Sequence, residues 1–225
     1  MIKPKSVIRQ NRKTLSITIN QKGELIVKAP KGLADSEINK FIAEKEYWIV
    51  TKLNKVKENS LINGDLVDYK AFLLFGNKYQ SVIDPQAKSA SFVAGKCYIP
   101  DLIDQSQRLH KVILIYKRLA EKWLRQRTLE IAKIIKANFD EFKISDAKGR
   151  WGCCTSNYCI NLNWRVVCLK PELIDYVIVH ELCHLKEMNH SSKFWSEVQR
   201  ILPDYKKRRK QVKEMSFLFQ IYKDN

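Results

Sequence analysis

The stretch Val177–Trp195, VIVHELCHLKEMNHSSKFW, holds three of the four histidines in a chain of 225 residues. His180 and His184 stand four positions apart, and Glu181 follows the first directly. On an α-helix that spacing is a rotation of about 40° and a rise of about 6 Å, so both imidazoles leave one face and can grip one ion. Glu181 lies about 100° around from His180, where a carboxylate suits a base better than a ligand. This is the H-E-x-x-H arrangement of zinc hydrolases. Shuffling the composition produces that pattern with a probability of about 0.004, and adding the third histidine lowers it by a factor of about fifty.

His190 is the more discriminating residue. In a continuous helix it lies about 9 Å beyond His184 and on another face. It reaches the same ion only if the helix stops and the chain turns back. The sequence predicts such a stop: Asn189 tolerates a left-handed backbone, and Ser191 or Ser192 can cap the next helix, KFWSEVQRIL. Three protein nitrogens with the fourth position left to water make a catalytic zinc site. One Zn2+ per chain is therefore expected on His180, His184 and His190, with Glu181 as the catalytic base. Tyr176, Val177, Val179, Leu182, Cys183 and Leu185 surround them and predict a buried helix, in which a metal offsets the cost of burying imidazoles. The second ring nitrogens then need acceptors, for which Glu187, Asp175 and backbone carbonyls are the candidates.

Upstream, LKPELIDYVIVHELCHL reads as the start of that helix, with Pro171 in its first turn and Glu172 and Asp175 near its positive end. Before it, Ile160, Leu162, Trp164 and Val166 alternate with Asn161, Asn163 and Arg165, which predicts a strand over Cys159–Val167 with a polar face. RWGCC, Arg150–Cys154, reads as a neighbouring strand. A long helix is expected over Gln105–Asn138, where Leu109, Val112, Ile113, Tyr116, Trp123, Leu124, Ile131 and Ile134 keep a period of about 3.6. His110 on this helix carries no role. Nearer the start, TLSITIN and ELIVKAP predict a hairpin turning at QKG. Asp35 or Ser36 caps a helix running to about Lys57, INGD is a turn, KAFLLFGNKYQSVID is a hairpin bent at Gly76–Asn77, and SFVAGKCYIP is a third strand pair. The fold class is thus α+β: a strand-rich hairpin and helix region over 1–104, then over 105–225 a long helix, a small antiparallel sheet, the histidine helix and C-terminal helices.

Composition bounds the function. Hydrophobic residues at 45% and aromatics at 10% describe a globular chain. The longest apolar runs are too short to span a bilayer, and the basic N-terminus has neither an apolar core nor a small-residue cleavage site, so the expected location is cytoplasmic, with no membrane. Six cysteines form no CxxC pair. In a reducing compartment they read as buried thiols, with Cys154 or Cys159 able to lie near the site. The net charge of +17 favours polyanions and steers acidic partners. The one dense run is Lys206, Lys207, Arg208, Arg209 and Lys210, which reads as a solvated helix face or as a nucleic-acid patch.

The stretch GRWGCCTSNYCINLNWRVVCLKPELIDYVIVHELCHLKEMNHSSKFW resembles the YgjP-like metallopeptidase family, a zincin group related to the SprT-like and Wss-type proteases. The likeness rests on Arg150, Trp151, Gly152 and Cys154, on Asn161–Arg165, and on the whole histidine block; Cys153 stands where the family pattern has serine. The spacing H-E-x-x-H-x5-H is also that of the metzincins, but Glu187 occupies the place of their turn glycine. The resemblance implies a zincin-like core with His180, His184 and His190 on zinc and Glu181 catalytic.

The expected function is a zinc-dependent metallopeptidase acting on a peptide or protein, with Glu181 activating the zinc-bound water. Arg150, Arg165 and Tyr176 are candidate oxyanion donors. The strand Cys159–Val167 is expected to bind an extended substrate by strand addition, with Asn161, Asn163 and Arg165 lining the cleft. Two other readings stand beside it: a basic nucleic-acid-associated protein, including a protease acting on DNA-bound protein as SprT-like relatives do, and a zinc hydrolase of non-peptide amides. The oligomeric state is left open.

Overall fold

A computed structural model describes residues 2–20, 23–102 and 104–222. The chain forms two compact units, Met1–Val67 and Asp68–Asn225.

In the first unit, β1 (Ser6–Gln10), β2 (Ser16–Ile19) and β3 (Leu25–Pro30) form a sheet in the order β1-β3-β2. The expected hairpin is β2 against β3, antiparallel, with Ile17 opposite Val27; the first two positions of its turn, Gln21 and Lys22, lie outside the described residues. β1 adds a parallel partner on the other side of β3. Leu25, Val27 and Ala29 alternate inward along β3, as a period of two requires, and meet Ile38, Ile42 and Ile49 from two helices. These are α1 (Asp35–Glu44) and α2 (Glu46–Val67). Sequence predicts one helix from Asp35 or Ser36. The structure breaks it at Lys45, and Ala34 takes the N-cap with no side-chain bond. α2 also runs through Ile62–Asp65, where a turn is expected. A single glycine costs a helix interior only about 1 kcal/mol.

The second unit begins with β4 (Ala71–Leu74), β5 (Asn77–Asp84), β6 (Ser91–Val93) and β7 (Lys96–Pro100), in the order β4-β5-β7-β6. Both expected hairpins are present. Their bends are Phe75–Gly76 and Ala94–Gly95, all four with positive φ, the backbone that matches strand twist in two-residue turns. The bend of the first hairpin is thus one residue earlier than Gly76–Asn77. Gly76 also lies under Lys170, whose Cα would be 3.0 Å from an added Cβ.

The long helix is α3 (Gln105–Ile135), capped by Asp104, whose carboxylate accepts the Gln107 N–H. Tyr116 on α3 donates from its hydroxyl to the Leu73 carbonyl at 2.5 Å and touches the rings of Phe92, Trp164 and Tyr222. This packing explains why the strands of residues 71–100 join the second unit and why the division falls at Val67/Asp68, not at 104/105. Ile134, expected on the apolar stripe, is 74% exposed on the last turn of α3.

A second sheet holds β8 (Glu141–Ser145), β9 (Gly152–Cys154) and β10 (Cys159–Asn163), in the order β8-β10-β9. Sequence predicts an antiparallel sheet. Only β9 is antiparallel to β10; β8 runs parallel to it. The expected strand over Cys159–Val167 stops at Asn163, because the Asn163 side chain accepts the N–H of Arg165 and starts a 3-10 helix over Trp164–Cys168. Then follow α4 (Pro171–Cys183), α5 (Ser192–Ile201), α6 (Tyr205–Glu214) and α7 (Leu218–Ile221). α4 carries buried apolar residues on nearly every side, from Leu173 to Cys183, and packs against α3, α5, α6 and β9. No helix among the described residues is long and apolar enough to cross a membrane.

Candidate metal centre

α4 ends at Cys183, and His184 is its C-cap. The next turn tightens: the N–H groups of Leu185 and Lys186 donate to the carbonyls of Leu182 and Cys183. Asn189 does not adopt the expected left-handed backbone. Its side-chain oxygen accepts the Ser191 N–H at 3.2 Å instead, a local turn typical of asparagine. Ser191, not Ser192, caps α5 by accepting the Phe194 N–H. The chain thus doubles back between α4 and α5, and His190 returns to the two histidines of α4.

The result is a convergence of three imidazoles. One ligand atom from each of His180, His184 and His190 lies within 4.8 Å of the others. The Nε2 atoms of His180 and His190 are 3.0 Å apart. Phe194, fully buried, lies against all three rings at 4.5 to 5.0 Å, and Trp195 stacks on His190 at 5.5 Å. Nδ1 of His184 meets the backbone carbonyl of Glu187 at 3.0 Å, which turns its Nε2 toward the other rings. That carbonyl is one of the expected acceptors. Asp175 is not available: both its oxygens accept from Arg127 at 2.8 Å. Nδ1 of His180 is buried with no hydrogen-bond partner among the described residues. Burial, with His184, His190 and Arg209 nearby, pushes the His180 imidazole down to about 3. Burial also lowers His190. Neutral imidazole is the form that binds metal. Three converging imidazole nitrogens fit a divalent ion of tetrahedral habit.

Glu181 is 5% exposed and lies against Gly152 of β9. A Cβ built on Gly152 would lie 2.7 Å from its Oε1. The missing side chain of Gly152 is therefore the space in which the carboxylate stands. Burial pushes the Glu181 carboxyl up to about 8, against the pull of the Arg150 guanidinium and a hydrogen bond from the Cys154 backbone. A divalent charge beside it draws such a group back down.

One cavity of about 360 Å³ joins these parts. α4 lends it Tyr176, His180 and Glu181, the segment before β9 lends Arg150 and Trp151, and α6 lends Arg209, Val212 and Lys213. Tyr176 and Arg150, both sequence candidates, thus share one wall with the histidine site. Burial raises the Tyr176 hydroxyl to about 12, so it stays a neutral donor.

The other candidates lie elsewhere. Asn163 is fully buried and Arg165 is 3% exposed. Asn163 donates to the carbonyls of Ala147 and Arg150. Arg165 binds Asp146 at 2.6 Å and the carbonyl of Tyr222, with its guanidinium 4.1 Å over the Trp164 ring. Asp146 also accepts from the Trp164 indole and pairs with Lys117. Asn163 and Arg165 are buried on these partners and brace the segment that leads into Trp151 and Gly152. Asn161 is half-buried in the middle strand, between β8 and β9. β10 has a partner on each side, so strand addition along it is closed. β9 is the edge of this sheet beside Glu181.

All six cysteines are free thiols. Cys154 lies beside Glu181, whereas Cys159 faces Glu141 and Asn161. In the basic run, Lys206, Lys207, Arg209 and Lys210 are exposed, Arg208 is tied to Asp204 and to the Glu172 carbonyl, and the Arg209 guanidinium lies over the Trp195 ring at 4.5 Å. Sequence spacing gives no sign of Gly152, Phe194, Arg209 or Lys213 as parts of the site. They arrive from three elements, β9, α5 and α6, although the aromatic pair Phe194–Trp195 lies just beyond the serine cap.

The family model described as YgjP-like, metallopeptidase domain, matches residues 13–215. No curated protein matches the chain. Among solved structures it is similar to the metallopeptidase zymogen of Pyrococcus abyssi abylysin, with 25% identity, a TM-score of 0.37, and coverage of 40% of this chain and 90% of that one. It is also similar to the metallopeptidase zymogen of Methanocaldococcus jannaschii jannalysin, with 24% identity, a TM-score of 0.37, and coverage of 41% and 96%.

Proposed function

The chain belongs to the YgjP-like metallopeptidase family, and from that premise we propose that it is a zinc-dependent peptidase using His180, His184 and His190 as ligands and Glu181 as general base. The observation that carries this reading is the meeting of three imidazole nitrogens within 4.8 Å beside a buried glutamate. When bound, zinc supplies a Lewis acid that acidifies water and polarises a carbonyl. Glu181 takes the proton of the attacking water and returns it to the leaving amine. Its burial favours this shuttle, since a carboxylate out of bulk water holds a proton more readily. The Tyr176 hydroxyl and the Arg150 guanidinium face the same cavity and are the donors proposed for the charge that develops on the carbonyl oxygen. β9, as a sheet edge, is the strand proposed to pair with an extended substrate.

The test separates metal from chemistry. Glu181→Gln is expected to keep about one zinc per chain by elemental analysis and to lower casein hydrolysis by about 10² to 10⁴. Hydrolysis at the wild-type rate removes Glu181 from the reaction. Parallel assays on small non-peptide amides decide whether peptide is the natural linkage.

A further inference from the structure

The cavity beside the histidines has an uneven charge. Among the described residues Glu181 is the only carboxylate lining it, and Arg150, Arg209 and Lys213 are three cations on its wall. Among the described residues none of the three forms a salt bridge, although the Arg150 guanidinium draws on Glu181 across the cavity. Elsewhere in this chain arginines close to acids are used up: Arg127 on Asp175, Arg165 on Asp146, Arg200 on Glu197 and Arg208 on Asp204. Among the described residues, Arg209 and Lys213 have no such acid beside them.

Arg209, though exposed, has an aromatic contact. Its guanidinium sits over Trp195, and Trp195 stacks on the ring of His190. A cation parked on an aromatic face gives up little further freedom when it binds an anion. Between the cations the wall is apolar, with Trp151, Val177 and Val212. A short aliphatic stem ending in a carboxylate matches that lining: methylenes against the apolar wall, oxygens at the guanidinium fork.

We propose that this cavity is an acid-selecting subsite, which receives a carboxylate of the peptide substrate through Arg209, Arg150 and Lys213. The inference rests on the peptidase reading and names its substrate class: peptides with glutamate or aspartate beside the cleaved bond, or with a free C-terminal carboxylate there. Both sources offer the same group to the same fork.

The test is equilibrium binding, so that it stands apart from turnover. Fluorescein-labelled hexapeptides of one sequence carry glutamate or glutamine at a single position, each with a free or an amidated C-terminus. They are titrated by anisotropy into zinc-loaded Glu181→Gln protein. The acidic forms are expected to bind about tenfold more tightly than the fully neutral form, and Arg209→Met is expected to remove most of that difference. Arg150→Met is a second probe, should the loss of Arg209 disturb Trp195. Lys122→Met, which removes an equal charge from the exposed face of α3, is expected to change nothing. A preference that follows the side chain or the terminus identifies the source, and either supports the subsite. Equal binding of acidic and neutral peptides overturns it, as does a Lys122→Met loss equal to that of Arg209→Met. Displacement of the peptide by a short DNA duplex, lost in Arg209→Met, overturns it in favour of a nucleic-acid site. Acid-selective binding by a wild-type protein that cleaves no peptide defeats the peptidase reading and leaves the subsite standing.

Discussion

Two segments of this chain offer polar residues in regular spacing, and they behave in opposite ways. Along Val177–Trp195 the spacing H-E-x-x-H-x5-H leads to three nitrogens that meet. Along Cys159–Val167 the alternation of Asn161, Asn163 and Arg165 suggests one polar face, and no such face forms. The difference lies in the distance to the partners. The histidines meet one another within eleven positions, and one helix turn and one reversal decide their geometry. Asn163 and Arg165 find their partners 13 to 57 residues away, at Ala147, Arg150, Asp146 and Tyr222. A periodic pattern identifies a face; it does not say whether that face meets solvent, substrate or another part of the chain.

The largest test of the contrast is removal of a ligand. His190→Ala is expected to weaken zinc binding by at least about 100-fold, read by competition with a chelating dye, because ligand loss exceeds the 10- to 100-fold penalty typical of supporting groups. Normal affinity in this variant would erase the distinction, since the third imidazole would then be as uninvolved as Arg165.

Next comes Gly152→Ala. Its Cβ has no room, at 2.7 Å from Glu181 Oε1, so the carboxylate must shift. Displacement of about 1 Å costs on the order of 10²-fold in rate, with zinc content and melting temperature close to wild type. Full activity would show that Glu181 does not need the place it occupies.

The clamp under the site is expected to act on stability. Asp146→Asn leaves the guanidinium of Arg165 buried without a countercharge, at a cost of about 2 kcal/mol in urea unfolding, less than for a fully buried pair because Asp146 is partly exposed. Asn161→Ala on the neighbouring strand is expected to change stability by no more than about 0.5 kcal/mol. If Asp146→Asn instead raised KM and left the unfolding midpoint alone, the cleft reading of the strand would return.

The smallest effect is on pH. Burial pushes the Asp146 carboxyl up, but hydrogen bonds from Arg165, Lys117 and Trp164 outweigh it and hold the group below the ordinary carboxylate range. A carboxyl lowered by folding stabilises the fold above its unfolded pKa, and that share is lost as pH falls through the lowered value. The wild-type midpoint is expected to fall more steeply below about pH 4 than that of Asp146→Asn; superimposable profiles would show that the clamp carries no charge-dependent stability.

Much of the fold was readable for the same reason as the histidines. Paired hairpins at Phe75–Gly76 and Ala94–Gly95, the span of α3 and the reversal after α4 all follow from residues near one another in the chain. The misreadings come where neighbours are remote: the parallel pairing of β8 with β10, the place of residues 71–100 with α3, and the partners of the NLNWR stretch.

By itself, then, the sequence determined that two imidazoles share a helix face, that a third can return to them, and that a glutamate stands alongside, because helix pitch and turn chemistry are local properties of the backbone. Only the tertiary structure decided that Gly152 makes room for that glutamate, that Asp146 gathers Trp164, Arg165 and Lys117, and that Arg209 leaves its basic run to lie over Trp195. Those contacts join elements far apart in the chain, and packing, which no local spacing encodes, selects among them.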